Sequence, residues 1–108
     1  MPSEKTDKFR RLVEAQPDNE LARFSLGSSL LQDDAYEEAE PQFARALELK
    51  DDWVVAYILR ARCLIRLGRY AEARPLLDRG RELSIAQHHD APVEEIDDLL
   101  EDLPDAAP

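Results

Sequence analysis

Apolar residues fall at helical spacing along most of the chain. Residues 20–32 are apolar at Leu21, Phe24, Leu26, Leu30 and Leu31, and residues 37–49 at Ala39, Phe43, Ala46, Leu47 and Leu49. Both sets match the 3.6-residue period of a helix with a buried stripe. Between them Asp33 and Asp34 offer short carboxylates suited to a turn and to an N-cap. Farther on, Gly68 stands where a second turn is needed, and it accepts a left-handed conformation at little cost. Pro41 and Pro75 fall near the starts of helices, where some local bending is expected.

The same pattern occurs twice. At an offset of 34 residues, Leu21 to Leu49 overlays Val55 to Leu83, and the run AYEEAEP answers to RYAEARP. Ala22 meets Ala56, Leu30 meets Leu64, Ala39 meets Ala73, and Phe43 meets Leu77. Such a period marks a stack of helix–turn–helix units. Shifting back once more places Phe9 under Phe43 and Val13 under Leu47, so residues 6–16 are expected to form a lone second helix. At the other end Ile96, Leu99, Leu100 and Leu103 recur at i, i+3, i+4 and i+7, with acids opposite and Pro92 in the first turn. That predicts an amphipathic closing helix over 92–103. The expected total is an all-α chain of six helices in one domain over 1–103. Its repeats span about 20–53 and 54–87, and a disordered tail follows at 104–108.

Small residues at fixed places narrow the reading. The first unit has Leu26-Gly27, Leu30, Ala39, Phe43 and Ala46, and the second has Tyr57, Ala61, Leu64, Ala73, Leu77 and Gly80. This pattern resembles the tetratricopeptide repeat. The chain departs from it at Arg23 (usually Trp), Arg60 (usually Leu), and Asp51 and Ile85 (each usually Pro). The resemblance implies antiparallel helix pairs stacked in a right-handed superhelix, with a half-repeat helix at the front and a capping helix at the back. It also implies that first helices line a concave face where peptides or partner proteins bind. Carried over, that face holds Leu21, Phe24, Ser25, Ser28 and Gln32, then Val55, Ile58, Leu59, Arg62, Ile65 and Arg66.

Arg62 and Arg66 stand one helical turn apart, so their guanidinium groups could together grip a carboxylate. The alternative is that they pair with nearby acids such as Glu72 or are simply solvated. Some family members clamp acidic chaperone tails with Lys and Asn. Here the matching places hold Phe24, Ser28 and Leu59, which argues against a clamp of that kind.

Charge changes the picture at one end. The net charge is −10, and residues 90–108 carry eight acids with no Lys or Arg. The remainder has sixteen acids against fourteen bases. Neither nucleic acid nor an anionic membrane is expected as partner. The closing helix is expected to cap the stack, with Ile96, Leu99 and Leu103 packed on the 71–87 helix. The alternative lays it in the groove, its acids near Arg62 and Arg66.

The remaining chemistry is sparse. His88-His89 is the one histidine pair, and Cys63 is 25 residues away, so no metal site is expected. Cys63 reads as a buried small side chain, Trp53 as a packing residue beside Tyr57, and Arg60 as snorkelling or meeting Glu38 or Glu72. No nucleophile elbow, zinc-protease or phosphate-loop motif occurs. The N-terminus lacks an apolar run suited to a signal peptide, and the single cysteine suits a reducing cytoplasm. These features lead to a cytoplasmic protein-interaction module with no enzymatic activity and no cofactor. A homo-oligomer that uses the same face or the solenoid ends is the alternative.

Overall fold

The computed structural model describes residues 3–104, all of it helix, turn or loop with no strand among them. Its six helices are α1 (Glu4–Ala15), α2 (Glu20–Gln32), α3 (Tyr36–Leu49), α4 (Val54–Arg66), α5 (Tyr70–Ala86) and α6 (Asp90–Asp102). The chain divides between Asp51 and Asp52 into two compact units. Pro104 is exposed, and the rest of the expected tail lies outside the described residues.

The helix starts follow from capping. Ser3 Oγ accepts from the Thr6 amide at 3.2 Å, so α1 begins two residues before the expected Thr6. Asn19 Oδ1 accepts from the Leu21 and Ala22 amides at 3.0 and 3.1 Å and opens α2. In each case a side-chain oxygen serves an amide that has no partner within the helix. Asp33 and Asp34 do not cap α3. Its N-cap is Ala35, which makes no side-chain hydrogen bond. Asp34 instead takes a left-handed φ of 59°, and its carboxylate accepts from the Tyr36 hydroxyl at 2.8 Å.

That left-handed residue ends α2 as Gly68 ends α4 and His88 ends α5, with φ of 75° and 58° at the latter two. In each case the next amide reaches back to close the last turn. Ala35 N–H donates to Leu30 O at 2.9 Å, Arg69 to Leu64 O at 2.8 Å and His89 to Ser84 O at 2.9 Å. Asp34 and Gly68 are one repeat apart, so the 34-residue period is kept in the backbone although the residue differs.

In the first unit α2 packs against both α1 and α3. Leu26, Leu30, Ala39, Phe43 and Ala46 are buried there. A Cβ added at Gly27 would lie 3.0 Å from two Phe43 ring carbons, so the ring seats against bare backbone. In the second unit α5 packs against α4 and α6, and α6 also touches α4. Ile58, Ala61, Leu64, Ala73, Leu77, Ile96 and Leu103 share its core. Pro41 and Pro75 lie inside α3 and α5, each at the sixth residue. Both are exposed, as are Glu37 and Ala71, the residues whose carbonyls lose a partner, so water can replace the missing bond.

Candidate functional site

The residues expected to bind a partner fall on two helices, five on α2 in the first unit and six on α4 in the second. On α2, Leu21 is 61% exposed and Gln32 is exposed, while Ser25 and Ser28 are half-buried. Phe24 is half-buried and meets the Phe43 ring edge-on, with centroids 5.7 Å apart. Positions 21, 25, 28 and 32 step along one side of the helix. The Ser28 Oγ is enclosed and has no hydrogen-bond partner among the described residues.

On α4, Val55 is 46% exposed, Leu59 and Arg62 are half-buried and Arg66 is exposed. Ile58 departs from the expectation. It is 4% exposed and belongs to the core, because it shares the inward side of α4 with Val54, Ala61 and Leu64. Ile65 is half-buried and packs against the same core. The accessible stripe of α4 is therefore Val55, Leu59, Arg62 and Arg66.

Arg62 has a partner from its own unit. Its Nη2 donates to Glu95 Oε2 on α6 at 2.7 Å. On the same helix Ile96 and Leu103 lie in the core with α5 residues. Capping and the approach of α6 acids to Arg62 thus occur together. Between Arg62 and α6 lies an open cleft of about 360 Å³, lined also by Ala91, Glu94, Glu95, Asp98, Leu99 and Asp102. A larger concavity of about 560 Å³ lies along α1, but Glu4, Lys5, Asp7, Lys8 and Arg11 of that one helix line it, mixed in charge.

Other ionic groups brace the helices. Arg81 pairs with Asp97 at 2.7 Å, and this bond raises the arginine's pKa. Glu72 is held below the usual glutamate range, first by its hydrogen bond from Arg69 and then by the charges of Arg69 and Arg60. Arg60 thus acts on Glu72, one of its two expected acids. Arg10 of α1 pairs with Glu38 of α3, and Arg45 with Asp18 at 2.7 Å. Arg23, in the usual Trp place, donates to Pro17 O at 2.9 Å and to Gln42 at 3.1 Å. Trp53 is half-buried at the N-cap of α4.

One polar cluster lay outside the sequence reading. Asp33 accepts from the Ser3 amide at 3.2 Å and from the Thr6 hydroxyl at 2.6 Å, and Thr6 Oγ1 is also 2.6 Å from Ser29 Oγ. Thr6 and Ser29 are buried. The Thr6 bond is the main cause of a lowered Asp33 pKa. The one signal was a capping residue, Ser3, ahead of the predicted helix start.

Cys63 is fully buried and makes no disulfide. Among the described residues, no cluster of His, Cys, Asp and Glu could hold a metal ion, and His88 and His89 are both exposed. No described helix is long and apolar enough to cross a membrane.

A tetratricopeptide-repeat family model matches residues 30–83, half of the chain, and a second matches residues 7–52. The chain belongs to the tetratricopeptide-repeat family. Helices α2 and α3 fall within those matches, as do α4 and most of α5, whereas α6 lies beyond them. A curated relative of this tetratricopeptide-repeat chain is the "Protein STIP1 homolog" of Dictyostelium discoideum, 31% identical over 94 residues. The match takes in 87% of the present chain and 16% of that relative, so the chain spans about one sixth of its length. Among solved structures, MamA AMB-1 is 29% identical with a TM-score of 0.70, over 73% of this chain and 43% of MamA. The TPR2B domain of yeast Sti1, solved as a pHsp70 complex, gives a TM-score of 0.78 at 23% identity, over 87% of this chain and 75% of that one. PcrH, solved with the chaperone binding region of PopD, gives 0.82 at 21% identity, over 89% and 73%. The last two show a shared helical-repeat fold.

Proposed function

We propose that this tetratricopeptide-repeat chain is a protein-interaction module. Helix α2 of the first unit and helix α4 of the second each offer an outward stripe to another protein. The observation that carries the proposal is the pair Leu21 and Val55. They stand one repeat apart, each in the first turn of a first helix, with 61% and 46% of their surface open to water. Exposed apolar groups recurring at the same place in two repeats suit a contact surface better than a folding role. Leu59 and Phe24 extend the apolar character, and Ser25 and Gln32 add polar groups able to bond a peptide backbone.

The chain's relatives support this reading by analogy, since the Sti1 domain was solved as a pHsp70 complex and PcrH with the chaperone binding region of PopD. The places a chaperone-tail clamp would need hold Phe24, Ser28 and Leu59, so a tail bound through that clamp is not the proposed ligand. The proposal assigns no reaction to the chain, because Cys63 is buried and many of its carboxylates are engaged in ion pairs on exposed faces. A net charge of −10 disfavours nucleic acid and anionic membrane as partners. One buried thiol without a disulfide fits the reducing cytoplasm.

Site-specific photo-crosslinking tests the proposal. A photoreactive side chain at position 21 or 55 should give adducts with another polypeptide in cells. The same group at Leu12, Tyr70 or Ile85, exposed apolar positions outside the two stripes, should not. Equal yields at all five positions would overturn the assignment. Adducts of twice the chain's mass from positions 21 and 55 would make a second copy of this chain the occupant.

A further inference from the structure

We infer that α6 sets the charge preference of the α4 face, so that the segment docking there carries Lys or Arg where it passes α6. This rests on the proposed reading of the face and names the chemistry of its occupant. Val55, Leu59, Arg62 and Arg66 recur at i, i+4, i+7 and i+11, which places them on one side of α4. At Arg62 that side opens into the cleft of about 360 Å³ whose other wall is α6, a volume at the lower end of ligand sites.

Among the described residues Arg62 is the one cation lining the cleft, and Glu95 already neutralises it at 2.7 Å. Glu94, Asp98 and Asp102 remain, spaced one helical turn apart along the opening, and no Lys or Arg among the described residues pairs with them. Like charges at that spacing repel. Asp98 and Asp102 also stand toward the C-terminal end of α6, whose last turn has no basic residue, where the helix dipole disfavours anions. A cation from outside relieves both costs. Ala91 and Leu99 give its methylene stem an apolar wall. An acidic partner group would have to displace Glu95 from Arg62 and then sit among the other carboxylates. At Arg62 the structure therefore reverses the sign that an unpaired arginine would set.

Panning a random peptide library on the immobilised chain tests this, followed by binding of a selected peptide to the wild type and to variants. Recovered peptides should place Lys or Arg next to apolar residues, and their affinity should fall steeply with added NaCl. The variant E94Q/D98N/D102N changes three exposed side chains and should keep the fold by circular dichroism. It should weaken binding about tenfold. Acidic or uncharged winners, salt-independent binding, or unchanged affinity in the triple variant would overturn the inference. If V55E abolishes binding and the triple variant does not, the face stands and the charge preference fails. If the triple variant abolishes binding and V55E does not, the assigned face fails. A library with no binder for the wild type would count against both.

Discussion

Gly27 and Gly68 show how one residue type does two jobs. At Gly27 the backbone φ is ordinary and the constraint is space, since an added Cβ would lie 3.0 Å from the buried Phe43 ring. The ring cannot retreat easily because Phe24 packs against it edge-on. Gly27→Ala should therefore destabilise the protein by about 1–3 kcal/mol in urea unfolding, the usual cost of overpacking. At Gly68 the surroundings are open and the constraint is φ, at 75°. Gly68→Ala should cost about 1–2 kcal/mol through the left-handed conformation alone. Gly68 was legible in the sequence, because a glycine between two periodic segments reads as a turn. The part played by Asp34 was not, since an aspartate before a helix reads equally well as an N-cap. Its left-handed φ of 59° depends on how the preceding helix closes.

Among the elements, α1 and α2 show why helical period alone does not describe a contact. Helix α2 packs on two neighbours and buries Ala22, Leu26, Gly27, Ser29 and Leu30 on one broad side while Leu21 stands exposed opposite, so its apolar residues do not form a single stripe. Helix α1 meets it partly through polar groups, Thr6 with Ser29 and Asp33, which leave no trace in hydrophobic periodicity. Thr6→Val keeps the shape of the side chain and removes both bonds. It should cost about 1–3 kcal/mol, because Ser29 and Asp33 lose a buried partner. Faster amide hydrogen exchange in α1 than in α3 would report where the loss falls. The Asp33 carboxyl is held below its ordinary value near 3.8 by the Thr6 and Ser3 bonds. Its contribution is thus fully present above about pH 3.8 and is lost as pH falls through the lower folded value. Acid titration should loosen α1 in that range, and Asp33→Asn should remove the pH dependence.

For the whole molecule, the repeat and the period together made six helices and the family legible in the sequence. For the acidic helix the apolar spacing favoured capping, and an approach of its acids to Arg62 was the alternative. The structure has both, with Ile96 fully buried and Glu95 on Arg62. Ile96→Ala should cost about 2–5 kcal/mol as a buried truncation. By contrast, Glu95→Gln should barely change stability, because both partners of that ion pair are 43% exposed. The surface stripe was half legible. Leu21 and Val55 proved exposed, whereas Ile58 went to the core, since a carried-over family position does not report which neighbour a helix turns toward.

Amide chemical-shift mapping with a library-selected peptide tests the binding face most directly. Perturbations should gather in α2 around Leu21 to Gln32, in α4 around Val55 to Arg66 and in α6 around Glu94 to Asp102, and they should vanish in a Leu21→Glu, Val55→Glu double variant. Shifts centred instead on Leu12, Tyr70 or Ile85, or unchanged in the double variant, would contradict the account.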